Sequence, residues 1–132
     1  YLNRNNGIPE FIVEKTIRAR ERHHQSISMF YKAGGKIAMG TDAGTPFNVH
    51  GNNSQELQFM TDLGISNSDA LRFSTASAAD LMGLEDRGQI QEGFFADLLI
   101  VSGNPVEDIT AIVNQENHLY IVKNGVQVQK LV

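Results

Sequence analysis

The chain has few side chains in positions that suggest chemistry. It contains no cysteine, which excludes thiolate nucleophiles, thiolate metal sites and disulfides. It carries no G-x-x-x-x-G-K-[ST] loop, no G-x-G-x-x-G, no G-x-S-x-G elbow and no H-E-x-x-H pair, so phosphate-loop enzymes and serine hydrolases are disfavoured. What remains is a carboxylate at an informative place. Gly40-Thr41-Asp42-Ala43-Gly44 follows the apolar Ile37, Ala38 and Met39, and the carboxyl end of a buried strand is where a (β/α)8 barrel places its chemistry. An aspartate at a strand-to-loop junction also commonly caps a turn, and the pattern alone leaves both readings open. Of the four histidines, His50 falls in the loop after Asp42, and loops carry function more often than the elements they join. His23 and His24 fall within a long helical stretch and read as helix-surface or interface residues. His118 begins an extended segment and reads as structural.

The elements that must position these residues are legible from periodicity and punctuation. Pro9 stands where a helix would start, and Val13, Ile17, Arg20, His24, Ile27 and Tyr31 recur at helical spacing until Gly34-Gly35. Residues 36–39 read as a short buried strand ending at Gly40-Thr41-Asp42. Asn53 with Glu56 makes a capping box before Leu57, Met60 and Leu63, with Gly64 closing that helix. Ser66 with Asp69 opens the next helix, and Thr75 caps a short one stopped by Gly83. Beyond Gly83 the composition turns to β type: an extended piece between Gly88 and Gly93, a run over 96–101, and a turn at Asn104-Pro105. The segments 118–123 and 126–131 flank Asn124-Gly125, the preferred pair for a two-residue type I′ hairpin turn. An α/β unit over 1–86 and a small β unit over 87–132 are expected.

Composition narrows the partners. The 132 residues include 15 acidic and 11 basic side chains, a net charge of −4 with no basic block, which argues against nucleic acid and membrane-surface binding. No apolar run is long enough to cross a bilayer and no start resembles a signal peptide; compartment stays open, with a lean to the cytoplasm. A lone strand among helices cannot form a sheet, and short tail strands leave edges that need partners. The expectation is therefore that the chain belongs with the amino-terminal part of a larger protein, or self-associates.

Several of these motifs together resemble the end of amidohydrolase-superfamily enzymes: GTDAGTP, His50-Gly51, Glu56-Leu57, Thr75-Ala76-Ser77-Ala78-Ala79, and Gly83-Leu84. The tail continues the likeness with Gly88-Gln89-Ile90-Gln91-Glu92-Gly93, Ala96-Asp97-Leu98, Asn104-Pro105 and Val122-Lys123-Asn124-Gly125. The branch most similar holds imidazolonepropionase-like hydrolases and metal-dependent dipeptidases. The resemblance implies the last part of a (β/α)8 TIM-type barrel plus carboxyl-terminal strands of a small β-sandwich. It also implies hydrolysis of an amide, peptide or cyclic amidine bond in a small-molecule or short-peptide substrate.

In that family the aspartate ending barrel strand eight binds the metal and takes a proton from the metal-bound water; Asp42 is the matching position, and zinc is the divalent metal implied. His50 resembles the family's loop histidine and is expected to border the substrate. The family's other ligands would lie upstream of this chain, and one carboxylate is too few for a zinc site. Asp97 of the A-D-L motif lies in the β tail and is read as a hydrogen-bonding structural residue. The chain departs from the family at Phe94-Phe95, where a lysine and another polar residue are usual, so two aromatics are expected to pack against a neighbouring layer or stand exposed. The competing reading is a non-catalytic α/β interaction module in which GTDAG is only a turn.

Overall fold

Pro9 sets the start of the first helix. Its φ of −55° and ψ of 138° lie outside the helical region, and its carbonyl accepts the first turn's amide protons from Ile12 and Val13 at 3.0 and 3.3 Å. The computed structural model describes residues 9–44 and 48–128 of the chain, and two compact units emerge, one ending at Gly35 and one beginning at Lys36. In the first unit, α1 (Glu10–Lys32) buries Val13 and half-buries Ile17, Ile27 and Tyr31, while Arg20 and His24 between them are exposed. The helical stripe is thus apolar at both ends and polar in the middle, as its sequence spacing requires. His23 and His24 sit on the exposed surface with ring centroids 6.4 Å apart.

The second unit opens with residues 36–41, which are extended but pair with no other strand among the described residues. The buried strand expected at 36–39 is therefore corrected to a half-buried extended segment. A strand is defined by its ladder, and this segment finds no neighbour among the described residues; the Met39 amide anchors it by donating to the Phe73 carbonyl at 2.9 Å.

Four helices then build a core. α2 (Gln55–Asp62), α3 (Asn67–Ser74) and α4 (Ala76–Leu81) pack in succession, and α2 also packs on α5 (Thr110–Val113). Leu57 and Met60 of α2, Ile65 after it, Ala70 and Phe73 of α3, Ala79 of α4, and Ile109 and Ala111 around α5 are all buried. Side chains tie distant segments across this core: Ser54 Oγ donates to the Val113 carbonyl at 3.2 Å and Asn67 Nδ2 to the Val106 carbonyl at 3.1 Å.

Helix ends follow the sequence unevenly. Ser66 caps α3 as expected, its hydroxyl accepting from the Asp69 amide at 3.1 Å and donating to the Asp69 carboxylate at 2.8 Å. At the end of α2, the Gly64 amide donates to Thr61 and the Ile65 amide to Met60, the paired bonds of a Schellman motif, with Met60 and Ile65 both buried beside them. The same pair of bonds closes α1 at Gly34 and Gly35 and α4 at Gly83 and Leu84. The Asn53 capping box is corrected: α2 begins one residue later at Gln55, with Ser54 at the cap position, and that position has no side-chain hydrogen bond to the helix. Thr75 is corrected likewise, because its hydroxyl turns back to the Leu71 carbonyl at 2.7 Å instead of capping α4. At both helix starts the hydroxyl at the cap position bonds elsewhere, Ser54 to the Val113 carbonyl and Thr75 to the Leu71 carbonyl.

The tail forms an antiparallel sheet of β1 (Leu98–Val101), β2 (His118–Lys123) and β3 (Val126–Val128), in that order. Leu98 faces Val122, Leu99 faces Ile121, and an irregularity falls between Ile100 and Val101. The Asn124-Gly125 turn holds both residues at positive φ, 51° and 77°, as a type I′ hairpin demands, so Lys123 pairs with Val126. The stretch of 126–131 beyond Val128 lies outside the described residues. The extended piece after Gly88 forms no strand, and Ile90 within it is 93% exposed. Helix α5 and the 3-10 turn Gln115–Asn117 had no clear sequence signal. The large apolar side chains Leu99, Ile121 and Val128 on one face of the sheet and Ile100 and Tyr120 on the other are all exposed.

Gly88 has a strict packing reason. A Cβ there would come 2.8 Å from the Ala79 Cβ and 2.9 Å from the Thr75 carbonyl oxygen, and its φ is +83°. The turn that leads from the helices into the tail therefore lies directly on α4. Arg87 beside it pairs with Asp86 at 2.9 Å and stacks over the Phe95 ring at 4.7 Å. That gives the exposed Phe95 a cationic neighbour, while Phe94 is half-buried.

Candidate active site

Asp42 ends the extended segment 36–41, and its backbone is left-handed, with φ at 49°. For a residue with a Cβ this region costs about 1–2 kcal/mol, so the surrounding loop must hold it there. Asn48 supplies that hold from the other limb of the loop. Its side-chain amide donates to the Thr41 carbonyl, and its own carbonyl accepts from the Gly44 amide at 2.8 Å. Asp42 is exposed and Thr41 half-buried, so the carboxylate stands on the outside of a closed turn.

His50 joins the same turn. A Cβ on Gly44 would come 2.9 Å from His50 Nε2, and Gly44 has φ of +105°, so only glycine lets the imidazole lie against the loop backbone. The structure thus gathers Asp42 and His50, eight positions apart in sequence, onto one loop. Both side chains are exposed there. Sequence reasoning did not single out Asn48; an asparagine between Asp42 and His50 is a turn-forming residue, which was the available signal.

The other candidates fall elsewhere. His118 Nε2 donates to the Ile112 carbonyl at 2.7 Å and so ties β2 to α5, a structural role. Asp97 accepts from Lys123 Nζ at 2.6 Å and from the Asn124 amide at 2.8 Å, with Arg87 3.9 Å away. The Lys123 hydrogen bond foremost, then the Asn124 amide, holds the Asp97 carboxyl below the usual carboxylate range. Asp97 is the clamp of the hairpin turn, which the Gly125 amide reinforces by donating to the Ala96 carbonyl at 3.0 Å.

Among the described residues no three His, Cys, Asp or Glu side chains gather so as to hold an ion. Asp42 brings a hard oxygen ligand of the right kind, but these residues alone do not make a metal centre. A groove of about 450 Å³ runs between residues 51–54 and the sheet, with Leu99, Leu119 and Ile121 on its apolar side and Asn53, Ser54, Gln115 and His118 on its polar side; it holds neither Asp42 nor His50.

With this geometry in place, comparison identifies the lineage: the chain belongs to the Amidohydrolase family, whose sequence model matches residues 2–128. Among curated proteins it is 31% identical over 108 residues to ochratoxinase of Aspergillus niger, covering 80% of this chain and 22% of that enzyme. Among solved structures it is similar to a Xaa-Pro dipeptidase with methionine bound in its active site, at 34% identity and a TM-score of 0.81, covering 96% of this chain and 30% of that one. It also resembles a prolidase complexed with N-methylphosphonate-L-proline, at 26% identity and a TM-score of 0.78, covering 94% of this chain and 30% of that one. The chain therefore spans less than a third of the length of these relatives. The described architecture is α/β with a small antiparallel sheet.

Proposed function

We propose that this chain is the carboxyl-terminal third of a metal-dependent hydrolase of C–N bonds, with Asp42 as its catalytic carboxylate and His50 beside the substrate. Residues 1–86 would form the final segment of a (β/α)8 barrel, with 36–41 as its eighth strand, and residues 87–132 the closing strands of a small β-sandwich. The observation that carries the reading is Asp42 itself: a carboxylate held in a left-handed corner at the end of an extended segment, with His50 folded back onto the same loop. A barrel enzyme needs its reacting groups in this position, at the carboxyl end of a strand. Likeness to a prolidase and a Xaa-Pro dipeptidase favours an amide or peptide bond in a short peptide over a cyclic amidine.

In this reading Asp42 accepts the proton of the attacking water and passes it to the leaving amine, for which an exposed carboxylate on a fixed loop is suited. His50 contacts and orients the substrate. A divalent metal, zinc by preference, supplies electrophilic polarisation when bound; its remaining ligands belong to the part of the protein outside these 132 residues.

The test is Asp42→Asn in the longer protein, assayed on a panel of Xaa-Pro dipeptides with metal content measured in parallel. Loss of at least about 10³-fold in kcat is expected with the fold retained, because the amide cannot take up the proton and is a poorer metal ligand. Near-normal turnover would overturn the assignment and favour a binding module in which GTDAG is only a turn.

A further inference from the structure

We propose that Asn48 is a positioning residue that sets the orientation of Asp42 through the loop backbone, an inference that rests on Asp42 being the catalytic carboxylate. The Thr41 carbonyl belongs to the peptide group immediately ahead of Asp42, so holding its direction fixes the φ of Asp42. Asn48 holds it with its side-chain amide. The Gly44 amide lies two residues beyond Asp42, and Asn48 holds that as well, through its own carbonyl at 2.8 Å. One residue therefore anchors both ends of the 41–44 corner, and between these two anchors Asp42 keeps its positive φ of 49°.

The residue type matters. A side chain of this length must present a donor to a carbonyl, and an aspartate of the same shape has none to offer when ionised. The same corner also seats His50, whose Nε2 lies against Gly44, so Asn48 organises the loop on which both proposed functional side chains stand. A reacting group misplaced by about 1 Å loses up to roughly 100-fold in rate, and this sets the scale of the expected effect.

The experiment replaces Asn48 in the longer protein and follows turnover of Xaa-Pro dipeptides beside the Asp42→Asn variant. Asn48→Ala should lower kcat by about 10- to 100-fold with KM within about threefold of the parent. Amide hydrogen exchange at Gly44 should quicken by about tenfold or more as its acceptor loses its place. A role confined to stability would lower the melting temperature without this split between kcat and KM. If Asn48→Ala does not fold, Asn48→Ser is assessed by the same split. An inactive Asp42→Asn with Asn48→Ala at parental kcat, or with Gly44 exchange at the parental rate, would overturn this inference alone. An active Asp42→Asn would overturn the reading of Asp42 and this inference with it.

Discussion

At the scale of single residues, the loop carries two exposed titratable side chains with different expected duties. Asp42 ends the extended segment and carries the proposed catalytic role, while His50 lies against Gly44 on the returning limb, where it would meet substrate. His50→Ala should accordingly raise KM or lower kcat by about tenfold while metal content stays unchanged. A fall in bound metal would show instead that the imidazole is a ligand. Asp42 stands out in the sequence as a candidate because the motif around it is dense. Asn48 does not, because its proposed role rests on two hydrogen bonds formed only when its segment meets residues 41–44.

At the scale of elements, the β2–β3 hairpin is held by a charged clamp. Asp97 receives Lys123 and the Asn124 amide, and these bonds hold its carboxyl below its ordinary value. Its folded pKa is thus lower than its unfolded one, near 3.9, so its contribution to stability is complete above that value and is lost as pH falls through the folded pKa. Asp108, held low chiefly by the Thr110 hydroxyl and then by its amide, weakens over the same acid range. Asp97→Asn should therefore melt at a lower temperature than the parent at pH 7, and the gap should close towards pH 3. An equal gap at both pH values would show that the carboxylate charge is not what matters. The hairpin was legible from Asn124-Gly125, because the turn type is written in two adjacent residues. The caps expected at Asn53 and Thr75 do not form, since a capping group competes with every other acceptor the fold brings near.

At the scale of the whole molecule, exposed apolar side chains stand on both faces of the tail sheet, and the chain covers only 30% of the solved Xaa-Pro dipeptidase. The 132-residue chain on its own should show no hydrolase activity and no tight zinc binding. Asp42 is the one metal ligand proposed within this chain, and a single carboxylate in water holds a divalent ion weakly. Equilibrium dialysis against zinc, with an amide-hydrolysis screen alongside, checks this; stoichiometric tight binding or turnover at enzyme-like rates would show that the active site has been misplaced. The same sheet faces lead us to propose that the chain pairs with the missing amino-terminal part or self-associates, which light scattering of the purified chain would reveal as a mass above that of one copy.

The family, the α1 stripe, the Ser66 cap, the hairpin turn and the candidate Asp42 are written in the order of residues, because each is carried by short motifs whose local chemistry permits little else. The folded chain alone reveals that residues 36–41 stay unpaired among the described residues, since a strand exists only with its partner. It also reveals that α5 closes the helical core, that Gly88 must lie bare against Ala79, and that Asn48 and His50 fold onto the Asp42 corner. Each of these depends on contacts between segments separated in the chain, and no local pattern encodes which of several acceptors or surfaces a side chain will meet.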